Sequence, residues 1–400
     1  MKVGPANFYS NSCCKHIPHF CPKVDKQSIY FFYIIRLTRP KFFDIIYLER
    51  FGGQSMFFTV IVPTYNPKRF LDRLLNSIKA NFCYRTDIEI ILSDDLSTEP
   101  FEDELRRFPD MKIRVIKNDK HYGYPRWGRQ HGLEEAKGDW ICFCDQDDEF
   151  CDHAFDTMKK TILHHGLHNY LVTNFYLQPE GKSKAERVQM QKTLNWTHGK
   201  FYERKFIEAN NIAYDEVRYC EDINFSSVVD LALHKINTEV IFVDTYTYIW
   251  NQRADSLSKN NNYREYFFQS FPEYIDGTIG VYIKAYEQDP NASQAMRDFY
   301  EQRIEQTFYY YYFYFQGMIN PQHECPPIPD NYYEKIANYF YRYKKCIHMT
   351  TDEYLDMTYK DKITMFAETR NIAVTQIPFM EYEGYTEWIK NRIVPFEPKE

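Results

Sequence analysis

The sequence predicts an α/β domain built on a mostly parallel central sheet, followed by a helical, aromatic-rich region, and three observations carry that prediction. From residue 56 onward, short apolar runs alternate with segments of helical spacing. The runs are continuously apolar rather than alternating, which implies burial on both faces, as in a parallel sheet. Beyond Ser258 this punctuation stops and long ring-rich stretches take over, among them Tyr309-Tyr310-Tyr311-Tyr312-Phe313-Tyr314-Phe315.

The elements follow in order. Residues 58–63 form a first apolar strand, and residues 69–80 a helix whose core face is Phe70, Leu71, Leu74, Leu75 and Ile78. A strand at 88–92, a short helix at 101–108, a strand at 112–117, a helix at 126–136 and a strand at 139–144 complete the first half. A helix at 153–164, a strand at 170–176, a polar loop at 178–192, a helix at 222–233 and a strand at 239–244 continue the pattern. Three regions result: an N-terminal extension (1–55), weakly ordered and detachable, with Met56 as a candidate functional start; an α/β domain (56–258); and a C-terminal helical domain (259–400) suited to covering a site or to oligomerisation. With 35 tyrosines and 32 phenylalanines, rings all around a helix imply packing on several sides before any sugar-binding role.

Composition excludes some functions. A formal net charge of -7 over 400 residues leaves no global basic footprint, which disfavours nucleic acid. No apolar stretch reaches membrane-spanning length, because residues 29–48 are interrupted by Arg36, Arg39, Lys41 and Asp44. The amino terminus has no basic segment leading into an apolar secretory core, so a cytoplasmic protein is expected. Its ten cysteines read as reduced thiols, with Cys142 and Cys144 inside a core strand. Cys13, Cys14, His16, His19 and Cys21 offer soft ligands, but their spacing matches no established zinc finger.

The feature that carries chemistry is Asp145-Gln146-Asp147, with Asp148 behind it, directly after Trp140-Ile141-Cys142-Phe143-Cys144. Open α/β sheets place ligands at the carboxyl ends of their strands. In extended chain the i, i+2 spacing puts Asp145 and Asp147 on one side, and carboxylate oxygens suit hard cations such as Mg²⁺ or Mn²⁺. A cation there could neutralise a departing nucleotide diphosphate. A single Asp-x-Asp also reads as a solvated acidic turn, so its neighbours decide.

Together the segments resemble an inverting family 2 glycosyltransferase with a GT-A fold, of the bacterial polysaccharide type, over roughly residues 56–258. Val60-Ile61-Val62-Pro63-Thr64-Tyr65-Asn66 resembles the family's first strand and turn, and implies that Pro63, Thr64 and Tyr65 receive the nucleotide base. Ser93-Asp94-Asp95-Leu96-Ser97-Thr98 resembles its Asp-Asp-Gly-Ser-Thr motif with Leu96 in place of Gly, and implies that Asp94 or Asp95 bonds the uracil. Either aspartate also suits a helix cap. Gly123-Tyr124-Pro125-Arg126-Trp127-Gly128-Arg129-Gln130 is a partial match to its Gly-rich turn and Ala-Arg-Asn helix, placing Arg129 near the base or phosphates.

Ala136-Lys137-Gly138-Asp139-Trp140-Ile141 followed by Asp145-Gln146-Asp147-Asp148 resembles the approach to the family's metal motif. It implies Mn²⁺ or Mg²⁺ on Asp145 and Asp147, with Gln146 beside the donor. Thr197-His198-Gly199-Lys200 and Tyr219-Cys220-Glu221-Asp222 resemble substrate-side segments, which implies His198 and Glu221 lining the sugar or acceptor side, Asp222 as catalytic base, and Glu221 orienting the acceptor or tuning Asp222. Trp250-Asn251-Gln252-Arg253-Ala254-Asp255-Ser256 resembles a loop over the diphosphate, where Arg253 stands in place of a metal-binding histidine, so Arg253 and Ser256 are expected on phosphate.

The implied function is metal-dependent transfer from a nucleotide-sugar donor, a UDP-sugar, to a saccharide or glycoconjugate hydroxyl. Two alternatives compete. A sugar-nucleotide pyrophosphorylase needs a Gly-rich basic loop after the first strand, which Pro63-Thr64-Tyr65-Asn66-Pro67 is not. A non-catalytic carbohydrate-binding protein on the same fold would have no need of Asp145, Asp147 and Asp222.

Overall fold

The structure, a computed structural model, describes residues 34–35, 56–217, 221–256, 276–318, 338 and 342–348. All fall within one compact unit. The cysteine–histidine cluster at 13–21 and most of the 1–55 extension lie outside the described residues, as do residues 257–275.

The strands are β1 (Ile34–Ile35), β2 (Phe58–Thr64), β3 (Ile88–Asp94), β4 (Lys112–Lys117), β5 (Trp140–Phe143), β6 (Glu149–Phe150), β7 (Tyr170–Gln178), β8 (Val188–Met190), β9 (Lys200–Glu203) and β10 (Ile241–Asn251). The helices are α1 (Lys68–Lys79), α2 (Glu102–Arg106), α3 (Pro125–Glu135), α4 (Ala154–His165), α5 (Arg204–Ala209), α6 (Glu221–Lys235), α7 (276–288) and α8 (Gln294–Met318). The sheet runs β1-β10-β7-β9-β5-β2-β3-β4, with β6 on β10 and β8 on β7. It is parallel except where β9, β6 and β8 pair antiparallel.

The apolar strands are buried on both faces, as their composition predicts. On β2, Phe58, Val60 and Val62 point into one core with Leu71, Leu74, Leu75 and Ile78 of α1 and Phe155, Met158 and Ile162 of α4. Ile61 points the other way, into a core shared with Phe206 and Ile207 of α5 and Phe225, Val229 and Leu233 of α6. Each such side chain contributes about 1.5–3 kcal/mol on burial, so the layers hold the strand ends rigidly. Helix α3 lies closest to the sheet: a Cβ on Gly128 would sit 2.9 Å from Pro63 Cβ, and one on Gly132 would sit 2.2 Å from Ile61 Cγ2.

Several elements differ from the sequence expectation. The expected loop at 178–192 contains β8, and β9 with α5 was not foreseen, because four residues, Lys200-Phe201-Tyr202-Glu203, are too few to display a period. Strand β10 runs on to Asn251, so Trp250 belongs to the sheet rather than to a loop. Ile34–Ile35 of the extension pair with Phe242–Val243. The backbone of the aromatic run at 309–315 lies in α8. Among the described residues no helix is long and apolar enough to cross a membrane, and the described cysteines are free thiols.

Candidate active site

The carboxyl ends of β2, β3 and β5 meet at one edge because all three strands are parallel. There the turn after β2 is tied to the turn after β3. Asn66 Oδ1 accepts from Thr98 N (2.8 Å) and Glu99 N (3.1 Å), and Asn66 N donates to Ser97 Oγ (2.8 Å). Asp94 Oδ1 accepts from Ser97 N at 3.0 Å, which closes that turn. Asp95 is buried, and its carboxylate accepts from Asn118 Nδ2 (2.6 Å), Tyr122 N (2.9 Å) and Gly123 N (2.7 Å). Both aspartates therefore build the loops. Gln146 does the same: its amide accepts from Tyr65 N (2.9 Å) and donates to Tyr65 O (3.1 Å), clamping the β2 turn to the acidic motif. Tyr65 packs against His121 with ring centroids 4.5 Å apart, and Pro63 supports Gly128. The hydroxyls of Thr64 and Ser93 are buried without a partner at these strand ends.

The acidic motif is arranged differently. Tyr248 on β10 accepts from Asp145 N (3.2 Å) through its hydroxyl and donates to Asp148 Oδ2 (2.6 Å), while Asn251 N donates to Asp148 Oδ1 (2.8 Å). Oxygens of Asp145 and Asp148 and a ring nitrogen of His198 lie within 4.8 Å of one another. Burial pushes the Asp148 carboxyl well up, with Asp147 and Asp145 adding to it. Burial likewise pushes the His198 imidazole down to about 4, so it is neutral at pH 7, and its Nδ1 is buried without a partner. His198 Nε2 lies 4.0 Å from Asp148 Oδ2, and crowded carboxylates beside a neutral imidazole fit a hard or borderline divalent cation.

Asp147, expected beside Asp145 as a ligand, instead receives Arg253 Nε at 2.6 Å. Arg253 also bonds Asp255 (2.8 Å), which bonds Arg69 (2.5 Å), and both guanidinium groups lie over the Phe70 ring. Ser256 N donates to Arg253 O at 3.4 Å, within the same loop.

Arg129 joins the two sides of the site. It is 3% exposed, and its guanidinium donates to Asp145 Oδ1 (2.6 Å) and to Glu221 Oε1. Burial opposes its charge, but Asp145 and Glu221 more than restore it and hold the group well above its usual range. Asp222 opens α6 beside Glu221 and is half-buried. Burial, then Glu221, raises its carboxyl, while Arg129 and Lys200 pull it down. Lys200 is itself buried, and its ammonium donates to Leu194 O and Ser226 Oγ.

Asp145, Arg129, Glu221, Asp222 and His198 thus gather at one site, with Asp147 and Arg253 at its margin. Sequence reasoning missed Lys200 and Tyr248, and it placed His198 on the sugar or acceptor side rather than beside Asp145 and Asp148. Asp148 had a visible signal, since it completes the acidic run.

Residues 59–220 match the family model described as Glycosyl transferase family 2. The poly(ribitol-phosphate) beta-N-acetylglucosaminyltransferase TarS of Staphylococcus aureus is 25% identical over 216 residues, covering 51% of this chain and 37% of that protein. The GalNAc(5)-diNAcBac-PP-undecaprenol beta-1,3-glucosyltransferase of Campylobacter jejuni is 29% identical over 130 residues, covering 32% of this chain and 41% of that protein. The chain therefore spans about two-fifths of the length of these relatives. The crystal structure of S. aureus TarS 1-349 in complex with UDP matches with a TM-score of 0.55 at 16% identity, over 73% of this chain and 83% of that one. The complex with UDP-GlcNAc matches with a TM-score of 0.53 over 73% and 82%. At these identities the likeness establishes the fold, the GT-A architecture.

Proposed function

Because residues 59–220 form a family 2 glycosyltransferase domain, we propose that the chain transfers a sugar, with inversion, from a nucleotide diphosphate donor to a hydroxyl of a saccharide or glycoconjugate. The observation that carries this reading is the Arg129 guanidinium, bonded at once to Asp145 of the acidic motif and to Glu221 beside the candidate base. One guanidinium therefore bridges the residues read as the leaving-group side and the acceptor side. A UDP-linked donor is favoured by the fold shared with the UDP and UDP-GlcNAc complexes of TarS.

In this reading Asp222 takes the proton of the acceptor hydroxyl as the acceptor oxygen bonds to the anomeric carbon and the bond to the diphosphate breaks. Glu221 and Arg129 orient the site and set the charge around Asp222. Arg253 exchanges Asp147 for diphosphate oxygens, which it can meet bidentately. Asp145, Asp148 and His198 would hold a divalent cation, and such a cation supplies charge neutralisation to the leaving diphosphate. Asp145 is common to this set and to the Asp145/Asp147 pair expected from sequence. A cytoplasmic setting and assembly through the C-terminal helices belong to the same reading.

The test is a thermal-shift screen of nucleotide sugars with and without Mn²⁺, followed by detection of released UDP. A ligand at 100 times its Kd stabilises by about 2.7 kcal/mol, which such a screen detects. A UDP-sugar is expected to raise the Tm in a Mn²⁺-dependent way and to yield UDP when acceptor is added. No shift with any donor in either condition rejects the proposal.

A further inference from the structure

The candidate base stands in the first turn of α6, and first turns open easily because their backbone N–H groups lack intrahelical partners. Two like charges, Glu221 and Asp222, are adjacent in that turn, and their repulsion works against a fixed geometry. Arg129 meets Glu221, whereas among the described residues the hydrogen bond to the Asp222 carboxylate comes from its own neighbour, Ile223 N, at 2.9 Å. The far side of the turn is held by Asn224, a residue to which the mechanism above gives no task. Its side chain is fully buried, and its Nδ2 donates to Asp215 Oδ2 (3.2 Å) and to Gly277 O at the start of α7. Both partners accept, which fixes the orientation of the amide. Asn224 Oδ1 is left buried without a partner. An apolar side chain of similar size would avoid that cost, so stability alone does not account for an asparagine here.

The anchors of Asn224 are themselves tied down. Arg126 donates to Asp215 O (2.6 Å) and Tyr214 O (3.0 Å), and Gln130 accepts from Tyr214 N (2.9 Å). Arg126, Arg129 and Gln130 all belong to α3, so one helix grips the turn through Glu221 at one end and, by way of Asp215, through Asn224 at the other. From the opposite side α7 presses onto the same place. A Cβ on Gly277 would sit 2.5 Å from Val217 Cγ2 and 3.3 Å from Asn224 Nδ2, so the backbone comes this near because the residue is glycine. Gly277 lies beyond the 59–220 match, which gives the C-terminal helices a direct hold on the turn that carries the base.

We propose that Asn224 is a positioning residue for Asp222, acting through two anchors, the Asp215 carboxylate and the start of α7. As a statement about transfer it rests on the reading above. The experiment uses the full chain and compares Asp215→Ala with Asp215→Asn, and Gly277→Ala as a second probe. Asp215 is exposed, so changing it leaves the core intact. Amide hydrogen exchange at residues 225–228 reports on the turn, because their N–H groups bond the carbonyls of residues 221–224. In Asp215→Ala that exchange should quicken about tenfold while residues 232–235 keep their protection, and kcat should fall about tenfold with the donor KM within about twofold of wild type. Asp215→Asn, which keeps an acceptor oxygen, recovers most of both losses, and Gly277→Ala reproduces them. Unchanged exchange at residues 225–228 in both Asp215→Ala and Gly277→Ala overturns the proposal. Quickened exchange with kcat unmoved overturns it as well, since Asn224 would then fasten a helix without positioning the base. A wild-type chain that transfers from no donor rejects the transferase reading instead, and the exchange result then decides the hold on the turn by itself.

Discussion

Two acidic clusters stand at the same edge of the sheet, after β3 and after β5, and they are held in opposite ways. Asp94 and Asp95 accept hydrogen bonds from backbone N–H groups, a serine and an asparagine fixed by the fold, and the His121 ring lies 2.9 Å from Asp95 Oδ2. Asp145, Asp147 and Glu221 are met by the guanidinium groups of Arg129 and Arg253, while Asp148 and Asp222 are raised by burial. Carboxylates saturated by backbone and amide donors of the fold are architecture. Carboxylates held by guanidinium groups, or raised by burial, are available to exchange partners with a ligand or a proton. Sequence motifs alone weight the two clusters equally, and the hydrogen-bond partners separate them.

The sharpest way to break this comparison is at Asp222. Asp222→Asn keeps the shape of the α6 turn but removes the proton acceptor, so transfer should fall by about 10²–10⁴-fold with the Tm little changed. Near-wild-type transfer by a folded variant would remove Asp222 from the reaction. At Asp95 the effect should move to stability. Asp95→Ala strips the acceptor from the buried Asn118 amide and from the part-buried Tyr122 and Gly123 N–H groups, and should cost about 1–3 kcal/mol in denaturant unfolding. If Asp95→Ala instead left stability intact and abolished only donor binding, the first cluster would be a ligand site and not a strut. Between the clusters, Gly132→Ala drives a Cβ to 2.2 Å from Ile61, which is fully buried and cannot yield. The overpacking should cost about 1–3 kcal/mol, more than the roughly 1 kcal/mol an alanine gains in a helix.

A smaller effect tests the electrostatics of the second cluster. Burial and then Glu221 raise the Asp222 carboxyl, so the base keeps its proton to higher pH than an exposed aspartate and transfer declines on acidification through that raised value. Glu221→Gln removes a negative neighbour while Arg129 and Lys200 remain, so the acid limb of the pH–rate profile should move to lower pH by up to about one unit. A limb that moves upward, or stays in place, would show that Glu221 does not set the charge at Asp222.

Much of this was legible because strands and helices repeat locally. The apolar faces of β2, β3 and α1 and the acidic run after β5 are written in adjacent residues. The rest depends on neighbours far apart in the chain. Asp145, Arg129 and Glu221 come from a strand end, a helix and another helix, and no local pattern announces that one guanidinium spans two of them. His198 illustrates the same limit. A third metal ligand was sought at position 253, in the closing loop, whereas the histidine nearest Asp145 and Asp148 comes from the turn before β9, a strand too short to be read from its period.

Leu96 offers the finest probe of the contrast, because it stands where the resembled motif carries glycine. Its φ is +59°, in the left-handed region, where an L side chain costs about 1–2 kcal/mol and glycine sits freely. The side chain is 39% exposed, so little apolar burial is at stake. Leu96→Gly should relieve the strain but add unfolded-state entropy worth about 0.4–1 kcal/mol, for a net gain of about 0.5–1 kcal/mol in chemical denaturation. That gain, with donor affinity unchanged, is what a purely architectural first cluster requires. A loss of donor affinity in Leu96→Gly would mean that the strained leucine covers the nucleotide, and the turn after β3 would then join the acids after β5 as part of the binding surface.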